Sequence, residues 1–93
     1  MTGKARAHVL ISGRVQGVAY RYFAEKYAKS FRIMGWVKNL YDGRVEVLAE
    51  GDREDLDRFL ARLKEGPRLA AVDGFDVTWE EFADEFPDFQ ITF

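Results

Sequence analysis

Residues 13–21 read GRVQGVAYR and follow the apolar run AHVLI after a single serine, Ser12. Two glycines and two arginines in so short a stretch set up one kind of chemistry. Gly13 and Gly17 reach backbone angles that a side chain resists, so successive N–H groups can turn toward a common point. From Tyr20 onward the hydrophobic rhythm is helical, so the loop ends on a helix start. There the first N–H groups lack internal partners and the local dipole is positive. Arg21, in the first helical turn, can lean over the same point with a planar fork of donors suited to two parallel hydrogen bonds. The physical reading is a cradle for a phosphate-sized dianion. It is not a nucleotide P-loop, since no Lys-Ser or Lys-Thr follows Gly17, and its glycine spacing does not fit a dinucleotide fingerprint.

A second stretch, GWVKNL, ends near Asn39. An amide both donates and accepts, so Asn39 could hold a water without changing its charge. The order of elements decides whether it can come near the loop. Ala7, Val9 and Ile11 alternate with His8, Leu10 and Ser12, the period of a strand. Tyr20, Phe23, Ala24, Tyr27, Ala28 and Phe31 form one helical stripe, predicting a helix over residues 20–31. Strands are expected over 35–40 and 44–50, joined by the Asp42-Gly43 pair that hairpin turns prefer. Leu56, Phe59, Leu60 and Leu63 mark a second helix, with Asp52 as its N-cap, Glu54 and Asp55 at its positive end, and Gly66-Pro67 as its stop. Phe75, Val77 and Trp79 alternate as a further strand, and Phe89, Ile91 and Phe93 as a short extra C-terminal one.

This order is β-α-β-β-α-β: an α+β, ferredoxin-like sandwich with two helices on one face of a mostly antiparallel sheet. The first and third strands should be central, with the second beside the third at a sheet edge. The start of the first helix and the far end of the second strand can then approach one another. Fold alone decides no function.

Bulk composition narrows the field. A chain of 93 residues, 47% hydrophobic and 15% aromatic, closes one core, so residues 1–93 are expected to form a single domain. It has no cysteine, which removes disulfides, thiolate nucleophiles and sulfur-ligated metals and fits a cytoplasmic location. The N-terminal apolar run is too short for a signal-peptide core or a membrane span. A net charge of −2 disfavours general nucleic-acid binding. Bases dominate residues 4–44, where an anion would be drawn. Residues 80–88, EEFADEFPD, carry five acids and no base. Glu80, Glu81, Asp84 and Glu85 lack the compact spacing of a cation loop and read as a solvated face. His8 points away from the Ala7/Val9/Ile11 face and reads as a satisfied residue rather than a ligand.

GRVQGVAYR resembles the signature of the acylphosphatase family at Gly13, Val15, Gln16, Gly17, Val18 and Arg21. GWVKNLYDGRVEVLAEG resembles the family's second signature at Gly35, Trp36, Val37, Lys38, Asn39, Gly43, Val45 and Gly51. Tyr20 departs from the usual Phe or Met, which asks for a polar neighbour at its hydroxyl. The resemblance implies hydrolysis of a small acyl phosphate to carboxylate and inorganic phosphate, with no cofactor and no metal. It implies that Arg21 clamps the phosphoryl oxygens, that N–H groups of Val15 to Ala19 fill the other oxygen sites, and that Asn39 orients the attacking water. Gly13 and Gly17 would shape the loop and Gln16 brace it. Inorganic phosphate, as product, would compete, and a monomer suffices. Two other readings remain: a non-catalytic phosphate, acyl-phosphate or carbamoyl-phosphate binding module of the same fold, and an RNA-binding domain of the same shape, which would need exposed aromatics on the central strands.

Overall fold

The computed structural model describes residues 3–93. Its elements, in order, are β1 (Lys4–Arg14), α1 (Tyr20–Ser30), β2 (Met34–Asn39), β3 (Val45–Asp52), α2 (Arg53–Glu65), β4 (Ala71–Glu80) and β5 (Phe89–Ile91). The sheet runs β4-β1-β3-β2-β5. All pairs are antiparallel except β2 with β5. β2 is therefore not an edge strand, as its sequence suggested, because β5 covers its free side.

Alternation along the strands decides which side faces the helices. Ala7, Val9 and Ile11 of β1 and Val45, Val47 and Ala49 of β3 are fully buried against Ala24, Ala28, Leu56, Phe59 and Leu63. Burying one such Leu or Phe side chain contributes about 1.5–3 kcal/mol. Phe89 packs edge-on against Phe59 with ring centroids 5.7 Å apart, which fastens the three-residue β5 to α2. The Tyr20 hydroxyl donates to the Leu63 carbonyl at 2.5 Å, tying the start of α1 to the end of α2. This is the polar neighbour the sequence asked for.

Local details differ from expectation in two places. Asp52 occupies the N-cap position of α2, but its side chain makes no cap hydrogen bond and instead pairs with Lys4 at 3.4 Å. Phe93 lies beyond β5 rather than in it. The Asp42-Gly43 turn forms as read: the Leu40 N–H donates to the Arg44 carbonyl at 2.8 Å, and Asp42 accepts from the Arg44 N–H at 3.1 Å. That N–H and the Arg44 side chain hold the exposed Asp42 carboxyl below its ordinary range.

On the other face of the sheet, residues 81–88 run from β4 at one edge to β5 at the other. Glu50, 2% exposed, accepts the Ala83 N–H at 2.7 Å and the Glu85 N–H at 3.3 Å. Arg6 pairs with Glu50 (3.5 Å), Glu80 (3.1 Å) and Glu85. Burial opposes the Arg6 charge, but those carboxylates outweigh it and hold the guanidinium firmly protonated. The acidic stretch is thus a strap as well as a solvated face. His8 Nε2 meets Glu46 at 2.6 Å, and Lys38 meets the same carboxylate at 3.7 Å.

Candidate active site at the head of the sheet

β1 ends in a bulge between Ser12 and Gly13. Gly13 has φ 117°, and a Cβ there would lie 2.2 Å from the Ala71 carbonyl oxygen, so only glycine lets β1 and β4 approach so closely. The next residues curve without turn hydrogen bonds. Val15 and Val18 face the core, anchoring the loop from beneath. Gln16 points the other way, and its Nε2 donates to the carbonyls of Leu40 (2.8 Å) and Arg44 (2.9 Å). That pair of bonds staples the loop to the β2–β3 turn and carries Asn39 to its side.

Gly17 has φ 73°, with open space where a Cβ would lie. Ala19, at the N-cap of α1, has φ 63° and offers no side-chain cap. A non-glycine residue in the left-handed region is strained, and such strain gathers at functional sites. The first helical bond, from the Phe23 N–H to the Ala19 carbonyl, leaves the N–H groups of residues 20–22 without an intrahelical acceptor. Among the described residues, no loop hydrogen bond takes its donor from the backbone of residues 15–19.

These groups surround a small concavity of about 130 Å³. Val15, Gly17 and Ala19 form part of its wall, and Arg21, Tyr22 and Asn39 the rest, with Tyr20 at the core side. Asn39 Oδ1 is buried and has no hydrogen-bond partner among the described residues. The Arg21 guanidinium lies over the Phe93 ring, 5.0 Å from its centroid. An adjoining hollow of about 470 Å³ shares Asn39 and is bounded by Gln16, Lys38, Leu40, Tyr41 and Phe93. Another, near Ser30 and Arg58 (about 370 Å³), has no comparable floor of loop amides.

The structure therefore brings Arg21 and Asn39 onto one cavity, with Val15, Gly17 and Ala19. Gly13, Gln16 and Val18 do not line it; they shape, staple and anchor it. Sequence reasoning missed the left-handed Ala19, the Phe93 ring and the exposed Tyr22. Only Tyr22, next to Arg21, carried a sequence signal.

Two helices on one face of a five-stranded mixed sheet make this a ferredoxin-like α+β protein. Residues 7–91 match the profile of the acylphosphatase family. An acylphosphatase of Thermus thermophilus is 54% identical over 84% of this chain and 89% of its own. One of Methylococcus capsulatus is 50% identical over 92% of this chain and 94% of its own. The crystal structure of acylphosphatase from Bacillus subtilis matches with a TM-score of 0.93 at 37% identity, covering 96% of this chain and 99% of that one. The chain belongs to the acylphosphatase family and is an enzyme of that family.

Proposed function

We propose that this enzyme cleaves the carboxyl–phosphate bond of small acyl phosphates by in-line attack of a water that Asn39 orients. Family membership and fold support the hydrolysis. The observation that carries the mechanism is Asn39, which lines a cavity shared with Arg21 and the loop backbone and whose carbonyl oxygen is buried and without a partner among the described residues. A buried acceptor without a partner costs about 1–3 kcal/mol, so its retention there needs a reason. A water donating to Oδ1 supplies one, and the bond turns a water lone pair toward phosphorus.

The reaction consumes one water. Its oxygen bonds to phosphorus, the bond to the carboxyl oxygen breaks, and carboxylate and inorganic phosphate leave with one proton released to solvent. The departing carboxylate is stable at neutral pH, so no general acid is required. Catalysis then rests on positioning and on charge stabilisation by the Arg21 fork and the amides of residues 15–19. Inorganic phosphate, carrying the same oxygens, binds there as a competitor. The chemistry asks for no metal or cofactor, and the protein acts as a monomer on a small molecule in the cytoplasm.

The test is acetyl phosphate hydrolysis in excess chelator. Asn39→Ala should lower kcat by about 10²–10³. Its inhibition constant for inorganic phosphate should stay within about twofold. A variant that keeps near-normal turnover would remove the assigned role. A wild-type protein that binds phosphate without hydrolysing acetyl phosphate would be the non-catalytic module instead.

A further inference from the structure

We infer that a second site, at the end of the sheet opposite the active-site cavity, binds a free α-amino acid with a large apolar side chain. This site goes beyond the hydrolysis proposed above and does not depend on it. A hollow of about 320 Å³ lies there between the strap of residues 81–88 and the start of β2. Met34, Phe82, Phe86 and Pro87 give it an apolar wall. Four charged residues also border it, and two of them are already engaged. Glu50 accepts two strap N–H groups and sits beside Arg6, and Lys4 pairs with Asp52. Arg32 and Asp84 remain. Neither side chain forms an ion pair or a hydrogen bond among the described residues, with the other or with any third group. Arg32 also borders the neighbouring hollow near Ser30, but the carboxylate there, Asp55, is held by Arg58 at 3.1 Å. The hollow is left with one positive charge, one negative charge and an apolar wall. A zwitterion complements all three: its carboxylate on the Arg32 fork, its ammonium on Asp84, its side chain against the Phe82 and Phe86 rings.

The backbone mounts both charges firmly. Arg32 (φ 59°) and Asp84 (φ 52°) are left-handed, as is Ala19 at the active site. Arg32 follows α1 at the position where helix ends favour glycine. The Ile33 N–H donates to the Ala28 carbonyl at 2.7 Å, and the Arg32 N–H to the Lys29 carbonyl at 3.3 Å. Glycine would close that cap without strain, so the cap itself does not call for an arginine. The fold retains the Arg32 side chain at a cost in stability, as strained functional residues do. Asp84 stands between Ala83 and Glu85, whose N–H groups are both held by Glu50.

The experiment is an amide NMR titration of the full chain with L-phenylalanine, 3-phenylpropionate and 2-phenylethylamine. L-Phenylalanine should shift the amides of Arg32, Ala83, Asp84 and Glu85 with a Kd of about 1 mM. The propionate lacks the ammonium and the ethylamine lacks the carboxylate, so each should bind at least about tenfold more weakly. Asp84→Asn should weaken L-phenylalanine by a similar factor. Arg32→Gly should do the same while raising the melting temperature by about 4 °C, because glycine relieves the cap. Lost binding together with gained stability separates a ligand contact from a damaged fold. The inference is overturned if L-phenylalanine at about 20 mM moves none of these amides. It is equally overturned if either analogue binds as tightly as L-phenylalanine, or if Arg32→Gly binds L-phenylalanine as the parent does.

Discussion

The two ends of the sheet treat their polar groups in opposite ways. At the head, the loop amides of residues 15–19 and the Asn39 carbonyl have no partner among the described residues. At the foot, Glu50 is equally withdrawn from water, yet both its oxygens accept N–H groups from the strap and Arg6 stands beside it. Satisfied groups contribute stability; unsatisfied ones cost it. The head thus carries a cost that a ligand can relieve, and the foot carries the compensation. Function and stability are separated along the strands rather than mixed within one site.

Substitutions can break that separation. The largest effect is expected for Arg21→Lys, which keeps the charge but loses the two-pronged fork. Its kcat/KM for acetyl phosphate should fall by about 10²–10³. Its urea midpoint should move by no more than about 0.5 kcal/mol in stability terms. A stability loss as large as the activity loss would show the ends to be coupled. Glu50→Ala should do the reverse, costing about 2 kcal/mol in urea unfolding by freeing two part-buried amides and weakening the hold on Arg6. Its activity per folded molecule should match the parent's. The smallest effect sharpens the picture at the helix pair. Burial raises the Tyr20 hydroxyl well above the ordinary phenol range, so the folded form holds that proton more tightly than the unfolded chain. That stability is intact below about pH 10 and drains away as pH rises beyond it. Tyr20→Phe should cost about 1 kcal/mol at neutral pH through the lost bond to Leu63, and urea titrations should show a shallower alkaline decline.

Much of this architecture was readable from the chain. The α2 stripe, the Asp42-Gly43 turn and the alternation of β1 and β3 are local patterns enforced by burial on one face. So was the placing of Arg21 and Asn39 near one another, because the glycine-rich loop must empty onto a helix start and the element order brings the end of β2 toward it. What was not readable is set by distant partners. β5 has three residues and too little periodicity to announce its pairing, so β2 looked like an edge. The acids of 81–88 read as a solvated face, since nothing nearby reveals that Glu50, more than thirty residues away, grips their amides. Ala19 has no intrinsic preference for the left-handed region; the loop imposes it from both sides.

The Gln16 staple has a further consequence, in kinetics. Its bonds close only after β1 has found β3, a strand whose partners lie some forty residues later in the chain. Pairings of such long sequence separation slow a folding reaction. Turnover should accordingly return late during refolding, lagging behind the signal from helix formation, so that nascent or half-folded chains stay catalytically silent.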